Sequence, residues 1–297
     1  MTNIFVHTSA SWVRYSDYEW KKAQDGHFYL LPVPGATPSI YDPTKVTNEL
    51  VLDAVEIGRS LMENSSPEKA RPAIREFACK YGLLGIMTAL PTTADFITYE
   101  KVYFPRNPFI REESMDTMDY LRLFYPFRLP DLKKKGVESI WNTHDDDDKL
   151  TVALMMTFSG QGEPQAKAMS FLRDYGERYE WMIAVFKDWS FTLMATLVFY
   201  DKADPLNEAT RKLYQSGMAA FEGNAPTYHL ELRDRPVLVW DFHSLLLNIK
   251  MMLDLMVTDE AHPLRLCKQC YKPFLAAEAD EVFCSPQCEK KYRRENH

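Results

Sequence analysis

The chain has 297 residues, 46% of them hydrophobic, with 6 Trp, 17 Phe and 16 Tyr, so it can build one large domain or two ordinary ones around a substantial core. Its formal net charge of −7 is unevenly placed: residues 263–297 carry +2 and the remainder −9. An acidic body of this kind excludes a broad phosphate-binding face and leaves the basic tail as the candidate for nucleic acid.

The opening Met1-Thr2-Asn3-Ile4-Phe5 has neither the basic start nor the long apolar run of a secretory leader, so a cytoplasmic protein is expected. Residues 3–33 read as strands: residues 4–7 are a short apolar run, and residues 18–23 and 27–31 flank Asp25-Gly26, a strong hairpin signal. Residues 32–43 read as a proline-rich connection without periodicity. Helices then dominate. Thr47 or Asn48 can cap a helix that runs to about Met62, with Leu50, Val51, Ala54, Ile57 and Leu61 on one face. Ser66-Pro67-Glu68 starts another, through Ile74, Phe77, Ala78 and Tyr81. Residues 96–99 and 102–104 suggest a second small β element, and residues 112–124 a helix.

The lysines at 133–135 and the aspartates at 145–148 are opposite charge runs that read as a solvated connection. Four aspartates without the glycine and distal glutamate of an EF-hand loop predict no metal there. Residues 165–200 read as one or two long helices with Gly176 as a break. The closest approach to a membrane span, residues 181–200, carries Lys187 and Asp188 at its middle, which favours a buried helix. Residues 207–221 read as a further helix. Tyr228, Leu230 and Leu232 alternate with His229 and Glu231 as in a half-buried strand, and residues 237–240 follow across a turn. Asp241 or Ser244 then caps a helix over residues 245–257. Only residues 258–263 join that helix to the tail, so the tail is expected to pack on the body or at least to keep a restricted orientation.

The tail holds four of the five cysteines, as Cys267-x-x-Cys270, thirteen residues, then Cys284-x-x-x-Cys288. Cysteines at such spacing let two thiolates of one turn reach a tetrahedral zinc. The first pair reads as a knuckle followed by Pro273 and Phe274. The second opens a helix, with Ser285 as N-cap, Pro286 at the first helical position, and Cys288 in the first turn, where the helix dipole favours a thiolate. The expected fold class is therefore α+β: a predominantly helical body with small β-hairpin elements, and a treble-clef-like finger at the C-terminal end. The body spans residues 1–262, with a possible subdivision near 110–150, and the finger 263–297. Clustered cysteines with metal spacing suit a reducing compartment. Cys79, the fifth, reads as a small core residue.

Within the tail, Leu-Arg-x-Cys precedes the first pair, Phe follows it, and Phe-Cys-Ser-x-x-Cys runs into a helix of Lys, Arg and Tyr. With these residues, positions 264–294 resemble the C-terminal zinc finger called CGNR, found in bacterial proteins regarded as transcriptional regulators. The family's Cys-Gly-Asn-Arg is Cys288-Glu289-Lys290-Lys291 here, and its first pair is often more widely spaced. The resemblance implies one structural zinc on Cys267, Cys270, Cys284 and Cys288. It also implies a DNA-binding regulator whose body senses a ligand or forms a homodimer.

Helix geometry places Cys288 and Tyr292 inward, which turns Lys290, Arg293 and Arg294 outward as candidate nucleic-acid contacts. Alternatively the basic residues only offset the charge of a zinc tetrathiolate, and the finger is a protein-interaction module. No dinucleotide-binding, Walker, zinc-protease or nucleophile-elbow motif occurs, and His27, His229 and His243 sit in apolar neighbourhoods. An enzyme whose site is assembled from distant residues of the body stays open as a third reading. His262, five residues before Cys267, is a spare ligand that four cysteines make unnecessary.

Overall fold

The computed structural model describes residues 8–63, 67–90, 93–94, 100–104, 107–128, 173–199, 207–218, 227–232, 234–242, 244–259, 262–278 and 280–296. The expected strand at 4–7, the cap at Ser66, the β segment at 96–99, both charge runs and the first part of the 165–200 helix lie outside these residues. Helices and small β elements make up two compact units. Unit 1 comprises Met1–Lys45, Ile74–Met182 and Phe221–Leu247, and unit 2 comprises Val46–Ala73, Ile183–Ala220 and Asn248–His297.

In unit 1, strand β1 (Thr8–Ser9) runs parallel to β11 (Pro236–Asp241), which pairs antiparallel with β10 (Thr227–Leu232). Residues 32–43 prove to be more than a connection. Strand β5 (Pro38–Tyr41) pairs antiparallel with β2 (Trp12–Tyr15), a register that alternation over four residues could not announce. The expected hairpin forms between β3 (Tyr18–Lys22) and β4 (Phe28–Pro32). Its turn uses Gly26 at φ 86°, and the Asp25 carboxylate accepts the His27 N–H at 2.9 Å.

A further sheet orders β6 (Thr93–Ala94), β7 (Lys101–Tyr103) and β8 (Ser114–Asp116). The helix expected from residue 112 therefore starts later, as α4 (Thr117–Phe124), because residues 114–116 are taken by the sheet. Asp116 caps it, accepting the Met118 N–H at 2.7 Å. Likewise Gly176 and β9 (Glu177–Arg178), which joins the outer side of β4, delay the long helix to α5 (Tyr179–Phe199).

The segment that ties unit 1 together was not legible in the sequence. Helix α2 (Arg71–Tyr81) buries Ile74, Phe77, Ala78 and Tyr81 as its pattern predicts, and stops at Gly82, whose φ of 95° suits a left-handed C-cap. A Cβ there would sit 2.4 Å from the Val13 carbonyl oxygen, so no other residue fits. Residues 81–90, including the short α3 (Ile86–Ala89), are then buried throughout. Buried backbone groups need partners, and here distant side chains and strands supply them. The Trp12 indole donates to the Leu83 carbonyl at 3.0 Å, and the Leu84 carbonyl accepts the Leu246 N–H at 2.8 Å. Glu177 accepts the N–H of Leu84 at 2.7 Å and of Ile86 at 2.9 Å, and the Tyr175 hydroxyl at 3.0 Å. The surrounding core is aromatic, with Tyr15, Tyr18, Tyr29, Tyr81, Tyr120 and Phe124 almost fully buried.

Unit 2 is built on α1 (Thr47–Glu63), on the part of α5 from residue 183, and on the part of α7 (Leu245–Val257) from residue 248. The buried face of α1 is Leu50, Val51, Ala54, Val55, Gly58 and Leu61; Ile57, expected among them, is only partly buried. Gly58 explains the shift. A Cβ at that position would lie 1.9 Å from the Phe186 carbonyl oxygen, so the two helix backbones touch there. The Ser190 hydroxyl donates to the Val55 carbonyl beside this crossing. In α5, Asp188 is exposed; partial desolvation raises its carboxyl pKa, with Lys250 opposing and Asp254 adding to the shift. Among the described residues no helix is long and apolar enough to cross a membrane. Asn207 opens α6 (Glu208–Met218), accepting the Thr210 N–H at 2.9 Å, as Ser244 opens α7, accepting the Leu247 N–H at 3.1 Å.

Leu253, 1% exposed on α7, offers a test of this core. Leu253→Asp buries a carboxylate without a designed partner and should cost several kcal/mol. Thermal unfolding should fall by well over ten degrees or lose cooperativity; a normal transition would show that the Leu/Met side of α7 is solvent-facing.

Candidate metal centre

The tail folds as a hairpin followed by a helix. Strands β12 (Leu264–Leu266) and β13 (Pro273–Leu275) pair antiparallel, with Leu266 opposite Pro273, and residues 267–272 form the turn between them. That turn is closed twice: Cys267 N–H donates to the Lys272 carbonyl at 3.0 Å, and Tyr271 N–H to the Cys267 carbonyl at 2.8 Å. Tyr271 adopts φ 57°, a left-handed conformation that costs a non-glycine residue about 1 kcal/mol, with its ring largely exposed. The return segment is held by Lys268 N–H on the Val282 carbonyl at 3.0 Å and by Ala277 N–H on the Glu281 carboxylate at 2.7 Å. Helix α8 (Pro286–Asn296) starts where the sequence predicts, with the Ser285 hydroxyl accepting the Cys288 N–H at 3.3 Å.

These elements bring all four cysteines together. Their sulfurs lie within 4.8 Å of one another, with 3.6 Å between Cys270 and Cys284 and 3.6 Å between Cys284 and Cys288. Tetrahedral thiolates bound at about 2.3 Å stand about 3.8 Å apart, so this set could hold one metal ion after shifts of no more than about an ångström. The small core behind it is Cys267, Phe274 and Ala276, with Cys270, Phe283 and Cys288 packed on its edge, and the Phe283 and Tyr292 rings meet at 5.3 Å between centroids.

No family model, curated protein or solved structure matches the chain. The likeness of residues 264–294 to the CGNR finger therefore stands on its motif and on the cysteine cluster alone.

Electrostatics set Cys267 apart from Cys270 and Cys284. Burial works against ionisation at Cys267, but the N–H groups of Cys284, Cys270 and Gln269 aim at its sulfur and bring it down to about 6. At Cys284, burial and then the neighbouring thiols of Cys288, Cys267 and Cys270 push the group up to about 12. Cys267 is ready to be a thiolate while Cys270 and Cys284 are held back, which is the state a dication would change by neutralising the crowded charge. His262 is not part of the cluster; its Nδ1 lies 3.2 Å from the Ala277 carbonyl oxygen. Cys79 stands apart, half-buried beside Asp17, and burial raises it.

Beyond the sulfurs, α8 buries no residue. Lys290, Lys291, Arg293 and Arg294 are all exposed. They are not equivalent. Arg293 donates to the Glu289 carboxylate at 2.6 Å, and Lys291 lies 3.9 Å from Glu295. Glu295 also accepts the Gln269 amide at 2.9 Å, fixing the helix end to the knuckle. Lys290 and Arg294 have no ion pair among the described residues and lie one turn apart. Arg293, expected beside them as a nucleic-acid contact, differs from them in its i,i+4 ion pair with Glu289. The expected packing of the tail also appears, since β13 rests on α1 within unit 2.

Proposed function

We propose that the tail is a treble-clef-like finger holding one structural zinc on Cys267, Cys270, Cys284 and Cys288, and that the protein is a DNA-binding regulator which contacts phosphates through α8. The observation that carries the reading is the exposure of α8: its inner ridge is fixed by Cys288 and Tyr292, and its cations face solvent. Four thiolates leave the metal no open position for water, so its contribution is to folding and not to chemistry. Lys290 and Arg294 supply the phosphate contacts; Arg293 and Lys291 are already occupied by Glu289 and Glu295. Two cations hold a duplex weakly, so the regulator acts as a pair of copies presenting two fingers.

Lys290→Gln with Arg294→Gln should lower affinity for duplex DNA and flatten its salt dependence by about 0.9 log units per contact removed. Lys291→Gln with Arg293→Gln should do much less, while metal content stays at one per chain in both. Absence of salt-dependent binding by the wild-type protein at low ionic strength would replace this reading with a protein-interaction module. The two ion pairs on α8 and the acidic remainder of the chain favour that second reading.

A further inference from the structure

The turn that carries the first cysteine pair holds a residue that the fold does not account for. Tyr271 sits at φ 57°, a conformation that glycine adopts freely and tyrosine only at a cost. A side chain in such a place usually offsets the cost by packing, yet Tyr271 is 63% exposed. Neither its ring nor its hydroxyl makes a ring contact or a hydrogen bond among the described residues. Backbone conformations of this kind gather where a protein binds something.

The surroundings of the ring are cationic. Lys268 and Lys272, on the same turn, are both exposed, and their side chains form no ion pair among the described residues. Residues 267–272 include no acid. The Gln269 amide donates to Glu295 at 2.9 Å, which ties this turn to the last turn of α8. Beside Glu295 stands Arg294, exposed and also without an ion pair among the described residues.

We propose that Tyr271 is a stacking platform for an unpaired nucleobase, with Lys268, Lys272 and Arg294 on the neighbouring phosphates, so that the finger takes single-stranded DNA in preference to duplex. The combination of groups chooses the partner. An acidic peptide would use the cations and leave the ring bare. An apolar peptide would cover the ring and leave three cations without counter-charge. A single strand supplies both at once, since every base has a π face and a phosphate on either side. A duplex keeps its bases stacked on one another and offers the turn only phosphates. The stacking contact rests on the reading of the tail as a DNA-binding finger and names the form of DNA it holds.

The test is fluorescence polarisation of a labelled oligothymidylate and of a labelled duplex of equal length, with full-length protein purified with its metal, at two salt concentrations. Wild type should hold the single strand more tightly than the duplex. Tyr271→Ala should weaken single-strand binding about tenfold, the scale of one stacked base, and leave its salt dependence and the duplex affinity unchanged. Tyr271→Trp should keep the affinity. Lys268→Gln with Lys272→Gln should instead flatten the salt dependence by about 0.7 log units per contact removed. Tyr271→Gly separates binding from folding: it should retain its metal against a chelator at least as well as wild type, yet lose the single strand as Tyr271→Ala does. A Tyr271→Gly protein that sheds its metal overturns the proposal, because the ring would then serve the fold. So does a Tyr271→Ala protein that binds the oligothymidylate as wild type does, or one that loses single strand and duplex alike. Duplex binding that needs Lys290 and Arg294, with the single strand held no more tightly, keeps the regulator reading and overturns the stacking contact. Single-strand binding that needs Tyr271, with no duplex binding at all, does the reverse.

Discussion

Cys267→Ser is expected to cut bound metal from one ion per chain to a small fraction of that, measured on protein purified without added metal. Cys284→Ser should do the same, because each removes one corner of a set whose sulfurs all lie within 4.8 Å. The cost is large because the cluster behind the sulfurs among the described residues is small, Cys267, Phe274 and Ala276, too little apolar surface to fold the tail by itself. Metal binding to a site of this kind contributes on the order of 10 kcal/mol to folding at neutral pH. A chelator should therefore open residues 264–296 to protease while leaving unit 1 protected. Acid should act in the same direction, since protons compete with the metal for the thiolates. Cys79→Ser should leave the metal content unchanged. A protein whose tail stays protease-resistant with no metal bound would end the metal-centre reading.

The second large effect belongs to Glu177. Its carboxylate is 2% exposed and accepts two backbone N–H groups and one hydroxyl. Glu177→Ala strands the Leu84 and Ile86 N–H groups in the core, at about 1–3 kcal/mol each, and the total should bring unit 1 close to unfolding. Glu177→Gln keeps one acceptor and turns an amide N–H2 toward one of those donors, so it should lose roughly half as much. Burial lifts this carboxyl from 4.5 to about 7, against the donors from Ile86, Leu84 and Tyr175. Because the folded value lies above the unfolded one, the native state holds the extra proton between those two values. The group's favourable contribution is thus complete below about 4.5 and is lost as pH rises through about 7. Comparing wild type with Glu177→Gln by chemical denaturation should isolate a decline of about 3 kcal/mol across that window, at 1.36 kcal/mol per pH unit. Parallel pH profiles for the two proteins would show that Glu177 stays ionised throughout.

The sequence by itself determined those parts whose partners lie within a few residues. The cysteine cluster is one: Cys-x-x-Cys and Cys-x-x-x-Cys each bring two sulfurs to one turn or one helix start, and Ser285-Pro286 fixes where that helix begins. The 18–32 hairpin is another, set by Asp25-Gly26, as are α2 and α7, set by their apolar faces and by Gly82 and Ser244 as stops and caps. What only the tertiary structure decided involves partners far apart in the chain. Residues 81–90 show no period because their backbone is satisfied by Trp12, Glu177 and Leu246, not by one another. Strand β5 exists because β2 lies beside it, and α4 begins at Thr117 because β7 takes residues 114–116 first. Gly58 is a core position only because Phe186 of another helix touches it. The alternation of residues 228–232 gave the strand correctly, but a pattern of period two states only that two faces differ. Which of them meets the interior is settled by what packs there, and here Tyr228, Leu230 and Leu232 are exposed, as is His229 on the other face.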